Sequence, residues 1–148
     1  MEAIEYIVKL TSIPSPTGYT KDVMSYLQET VAKMGYEFKT TNKGGLMVKV
    51  DGKNSEQARM VTAHVDTLGA MVRGIKDDGR LKLEKIGGYP FNVVEGENCL
   101  IHGEDRVYTG TILLHQTSVH VYKDAATAER NQDNMEVRLD EKVESKED

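Results

Sequence analysis

The chain has 148 residues, 39% hydrophobic and 29% charged, with a formal net charge of −5. That is the make-up of a folded protein holding one ordinary domain or two small ones. The acidic balance and the scatter of Lys and Arg speak against nucleic acid as a partner, and the one cysteine, Cys99, excludes an internal disulfide and any Cys-based zinc or iron–sulfur site.

A lone thiol fits a reducing, cytoplasmic setting. The start, Met1-Glu2-Ala3-Ile4-Glu5-Tyr6, carries acids where a secretory leader carries bases. No apolar run reaches the roughly 18 residues that span a bilayer, so a membrane is not expected as a partner either.

Ile4, Ile7, Val8 and Thr11 share one face of a helix over residues 2–11, and Ser12-Ile13-Pro14-Ser15-Pro16-Thr17-Gly18 breaks it, because a proline disfavours helical geometry in the residue before it. A second helix is expected over 20–34. Thr20 would cap it, Asp22 suits its positive end, and Met24, Leu27, Val31 and Met34 form an apolar stripe suited to core packing. After Gly35 the period becomes strand-like. Residues 36–41, the turn Asn42-Lys43-Gly44-Gly45 and residues 46–50 read as a hairpin. Met60-Val61-Thr62-Ala63 is short and continuously apolar, as in a strand buried on both faces.

From Gly69 the character shifts to short strands with Gly, Asp and Asn turns. Residues 70–75, the turn Asp77-Asp78-Gly79 and residues 80–86 form a hairpin. Residues 91–94, 99–102, 107–114 and 135–139 are further strand candidates, and 140–148 reads as a solvated, disordered tail. The layout is an α/β start, with two helices and mixed strands over 1–68, followed by a small all-β, barrel-like domain over 69–148.

The chemistry gathers at His64-Val65-Asp66. In a strand, residues two apart point the same way, so the Asp66 carboxylate would lie beside the His64 imidazole, or both would face one metal ion. A metal-ligating histidine usually needs such an acid on its other ring nitrogen. The plainer reading is a surface histidine bonded to a neighbouring acid. A zinc centre needs three or four protein ligands, and no others offer themselves. His115 and His120, five apart, cannot chelate from a strand or a helix; His102 sits beside a turn, and Cys99 has no evident base.

Thr62-Ala63-His64-Val65-Asp66-Thr67-Leu68-Gly69-Ala70-Met71-Val72 resembles the first metal-ligand motif of the glutamyl aminopeptidases, also called tetrahedral aminopeptidases (metallopeptidase family 42). The opening Ser12–Gly18 segment, Lys43-Gly44-Gly45-Leu46, Asp78-Gly79-Arg80-Leu81, Ile86-Gly87-Gly88, Tyr108-Thr109-Gly110-Thr111-Ile112 and Glu136-Val137-Arg138-Leu139-Asp140 extend the resemblance over essentially the whole chain. It implies an α/β metallopeptidase with an inserted β-domain that mediates dimers and cage-like assemblies, hence a homo-oligomer through residues 69–148. It implies two divalent ions, zinc or cobalt, and a peptide substrate. Carried onto this chain, His64 is a metal ligand and Asp66 orients it. The family's bridging aspartate, Glu-Glu pair, further acid and final histidine have no counterpart here. The resemblance therefore implies an N-terminal fragment of a metal-dependent aminopeptidase, holding no metal tightly, its inserted domain incomplete, and inactive alone. The rival expectations are a non-catalytic β-module for self-association and another hydrolase, such as a deacylase, on the same scaffold.

Overall fold

The computed structural model describes residues 2–54 and 56–148. The chain divides into two compact units, Met1–Gly69 and Ala70–Asp148.

In the first unit, helix α1 spans Ala3–Thr11 and α2 spans Lys21–Lys33. The Glu2 amide at the start of α1 donates to the Glu5 carboxylate at 2.8 Å, which satisfies one of the amides a helix start leaves open. α1 ends where the Ser12 hydroxyl turns back to donate to the Val8 carbonyl at 2.6 Å. The α1 apolar face expected from Ile4, Ile7 and Val8 exists, but all three side chains are exposed. In α2 the expected stripe is only partly a core. Val23, outside that stripe, is the residue fully buried, Met24, Leu27 and Val31 are half-buried, and Met34 is exposed. Thr20 occupies the N-cap without a side-chain cap bond.

The hairpin forms with shorter strands than the pattern suggests. β1 (Phe38–Thr40) and β2 (Leu46–Val48) pair antiparallel with Lys39 opposite Met47. Gly44 supplies the left-handed φ of +82° that the turn requires. Residues 60–63, expected as a buried strand, have no strand structure, and Met60 and Val61 are 85% and 94% exposed. A strand exists by its ladder, and no described strand pairs with this segment.

The second unit is a curled five-stranded sheet, half of a barrel. Its strands are β3 (Gly69–Ile75), β4 (Leu81–Ile86), β5 (Asn98–His102), β6 (Val107–Leu114) and β7 (Met135–Leu139), in the order β3-β4-β7-β6-β5. The last strand in sequence thus lies at the centre, antiparallel to both β4 and β6. Alternation does its work in β4, where Leu81 and Leu83 face the core with Val137, and Lys82 faces out. A second cluster joins Phe91, Leu114 and Met135. The strand expected over 91–94 is instead a single 3-10 turn, Phe91–Val93, entered through Pro90. Proline has no amide to give a ladder, and the turn delivers Phe91 into the core.

The tail from Asp140 is packed rather than loose. Val143 lies so close to the β3–β4 turn that a Cβ on Gly79 would sit 2.1 Å from Val143 Cγ1, and the Glu144 and Ser145 amides both donate to the Asp148 carboxylate at 2.9 Å. Those donors hold the Asp148 carboxyl below its ordinary range. Gly79 also has a φ of +74°. Gly79→Ala is therefore expected to cost about 1–3 kcal/mol and to release the tail, read as a lower urea midpoint together with faster proteolysis beyond Asp140. An unchanged midpoint would mean that the turn relaxes at no cost.

Candidate metal-ligand site

His64 and Asp66 lie in the irregular run that leads into β3, so strand alternation is not what brings them together. They meet all the same. His64 Nδ1 is 3.0 Å from Asp66 Oδ1, and the imidazole is 86% exposed. With Nδ1 engaged by the carboxylate, Nε2 is the nitrogen directed away from the acid and available to an external electrophile.

The run is shaped by a segment some fifty residues earlier, which the sequence singled out as a helix breaker and as part of the family resemblance, not as a partner of residues 65–67. Ser15, fully buried, donates its hydroxyl to the Val65 carbonyl at 2.8 Å. Its amide donates to Thr67 Oγ1 at 3.1 Å, and the Thr67 amide donates back to the Ser15 carbonyl at 3.1 Å. Thr17 Oγ1 donates to Asp66 Oδ2 at 3.4 Å. Pro16 closes the contact from below, since a Cβ on Gly69 would sit 2.7 Å from Pro16 Cβ. Pro14 and Pro16 fix a φ angle on either side of the small polar Ser15, but nothing local names its partner.

The chemistry of this donor set fits one metal ligand: an exposed imidazole nitrogen on a ring oriented by an acid. Among the described residues no group of three or more His, Cys, Asp or Glu side chains is placed to hold a metal ion. The other histidines have plainer surroundings. His115 Nδ1 lies 2.9 Å from the Asn134 carbonyl, half-buried below the end of β6. His102 closes β5 opposite Val107, and His120 lies exposed in the connection before β7. Cys99, half-buried on β5, points its thiol at the Gly110 carbonyl 3.5 Å away, and burial pushes its pKa up, away from nucleophilic use.

A second charged cluster is structural. Glu136, 2% exposed on β7, accepts from Lys76 Nζ at 2.6 Å through Oε2 and from Arg80 through Oε1. Hydrogen bonding to Glu136 raises the Arg80 pKa still further. With both oxygens engaged, the cluster ties the β3–β4 turn to the central strand.

Residues 44–148 match the M42 glutamyl aminopeptidase family. Over 148 residues the chain is 53% identical to the Bacillus subtilis (strain 168) protein YhfE, whose name assigns it to the aminopeptidases. The match covers 99% of this chain and 43% of YhfE. A glutamyl aminopeptidase of Lactococcus lactis subsp. cremoris is 34% identical over 98 residues, covering 66% of this chain and 28% of that protein. The TET1 peptidase of Pyrococcus horikoshii, whose structure is described as assembling into a tetrahedron or a large octahedral shell, superposes with a TM-score of 0.80 at 25% identity, covering 99% of this chain and 42% of that one. An aminopeptidase from Desulfurococcus kamchatkensis superposes with a TM-score of 0.82 at 26% identity, covering 97% and 38%. The chain belongs to the M42 glutamyl aminopeptidase family. It spans 43% of the length of YhfE and 28% of that of the Lactococcus enzyme. Among the described residues no helix is long and apolar enough to cross a membrane.

Proposed function

We propose that this chain carries the first metal-ligand corner of a metal-dependent aminopeptidase that removes N-terminal residues from peptides in the cytoplasm. The observation that carries the reading is the His64 Nδ1···Asp66 Oδ1 contact of 3.0 Å in a segment that matches the family. His64 would hold one of two divalent ions, zinc or cobalt, through Nε2, and Asp66 would fix its tautomer. When bound, such ions supply the Lewis acidity that activates a water and polarises the scissile carbonyl. This chain's own part is to present the imidazole, with Asp66 holding the proton at Nδ1.

A single ligand corner does not retain an ion tightly, so the 148-residue chain is expected to show no cobalt-stimulated hydrolysis of aminoacyl-anilides. A chimera in which it replaces the matching segment of YhfE is expected to show such hydrolysis. Clear turnover by homogeneous 148-residue protein would overturn the fragment reading, and an inert but folded chimera would overturn the assignment of His64 to the metal centre.

Residues 69–148 are proposed as the inserted domain through which copies associate. The edge strands β3 and β5 support this, with Met71, Val72 and Ile75 exposed on one and Leu100 on the other. Sedimentation velocity is expected to show concentration-dependent self-association. A strictly monomeric chain at high concentration would count against it.

A further inference from the structure

We infer that Thr17 and Ser15 are positioning residues for the His64 imidazole, Thr17 acting through the Asp66 carboxylate and Ser15 through the backbone on either side of it. The inference rests on the metal-ligand role proposed for His64.

A carboxylate selects one imidazole tautomer only if the carboxylate is itself held. The Asp66 side chain is 46% exposed, so its own packing does not immobilise it. Its two oxygens are engaged separately. Oδ1 meets His64 Nδ1 at 3.0 Å and Oδ2 accepts from Thr17 Oγ1 at 3.4 Å. Two partners on two oxygens fix the plane of the carboxylate, where one would leave it free to turn. The Thr17 bond is long, so it is the weaker of the two.

The backbone that carries Asp66 has no sheet ladder to define its path. Ser15 supplies that definition, with the Val65 carbonyl taken by its hydroxyl and Thr67 bound reciprocally through both main chains and the threonine hydroxyl. Residues 65 and 67 are therefore both tied, and Asp66 lies between them. The tie is rigid from its own side because Pro14 and Pro16 each fix a φ next to Ser15. A buried serine hydroxyl whose bond goes to a loop carbonyl, rather than to its own helix or turn, is placed to orient that loop.

The test uses the 148-residue chain with three independent readouts. Imidazole 15N shifts, recorded at one pH above the range where His64 is protonated, report its tautomer. Exchange of the Thr67 amide, which donates to the Ser15 carbonyl, reports the order of the segment, with α2 amides as the internal control for global stability. Broadening of the Ala63 and Val65 amide resonances by Co2+ reports metal contact at the His64 side chain between them, with His64→Ala as its control. Thr17→Val, which keeps the shape and removes the hydroxyl, is expected to move the tautomer ratio away from the Nδ1–H form roughly five-fold, and Thr17→Ser to restore it. Ser15→Ala is expected to speed exchange of the Thr67 amide by roughly five- to ten-fold without moving the α2 amides.

Unchanged tautomer and exchange in Thr17→Val and Ser15→Ala would overturn the positioning role, even where Co2+ still broadens the Ala63 and Val65 amides. Co2+ broadening that is the same in wild type and His64→Ala would instead overturn the metal-ligand reading, while the tautomer and exchange data still decide whether Thr17 and Ser15 hold the ring.

Discussion

Glu136→Ala is expected to destabilise the Ala70–Asp148 unit by about 3 kcal/mol, a large share of a total of the order of 5–15 kcal/mol. Glu136 is buried on the central strand and is the shared partner of Lys76 and Arg80. Removing it leaves two cations facing one another with only the half-exposed Asp78 carboxylate, 3.8 Å from Lys76 and 3.7 Å from Arg80, as counter-charge. Both are about a third exposed, so water takes up part of that penalty, and the estimate sits at the low end of what breaking a buried pair costs. The loss should appear as a lower urea midpoint by circular dichroism at an unchanged slope. Glu136→Gln retains the shape and two lone pairs and should cost less than alanine. Glu136→Leu combined with Lys76→Met and Arg80→Met removes all three charges together and should recover much of the loss. An alanine variant within about 0.5 kcal/mol of wild type would mean that the ion triad contributes nothing to the sheet.

The second large effect concerns activity. In the YhfE chimera, Asp66→Asn is expected to lower metal affinity or aminoacyl-anilide turnover by about 10–100-fold, the range for loss of an acid that orients a ligand histidine. His64→Ala is expected to fall below that, because a ligand and not merely its orientation is gone. The order of the two is the informative part. An asparagine at 66 can still meet Nδ1 through its amide oxygen but offers no charge, so residual activity should persist there and vanish in His64→Ala. If Asp66→Asn lost as much as His64→Ala while metal content stayed at wild-type level, Asp66 would be acting on substrate rather than on the ligand. Excess Co2+ should rescue Asp66→Asn in part and His64→Ala not at all.

Much of the fold could be read from local pattern. α1 and α2 lie within a residue or two of the stretches marked by period and breakers, and β6 and β7 occupy the stretches that alternate. These elements are set by neighbours three or four apart in a helix or two apart in a strand, and those spacings are visible in any sequence. The errors share one cause. Residues 60–63 have the composition of a buried strand and no partner to make them one, whereas residues 91–94 have strand composition but begin after a proline that turns them into the core. The tail has the composition of a solvated end, and Val143 packs on Gly79 nonetheless.

The candidate site divides in the same way. The pairing of His64 with Asp66 is a two-residue relation, and the sequence announced it, although the geometry that achieves it is an irregular turn and not a strand. The clamp from Ser15 and Thr17 could not be read, because its partners lie about fifty residues away and nothing in the spacing of either segment points to the other.

What the residues alone determined was therefore the set of helices, most of the strands, the family and the pairing of His64 with its acid, all relations between positions close in the chain. Tertiary structure decided which strand is central, which polar side chains are buried together and what holds the loop that carries His64 and Asp66. β7 reaches the middle of its sheet only by closing a loop back to β4, and Glu136 meets Lys76 only there. Such contacts depend on chain closure and on the burial it makes possible, which no local period encodes.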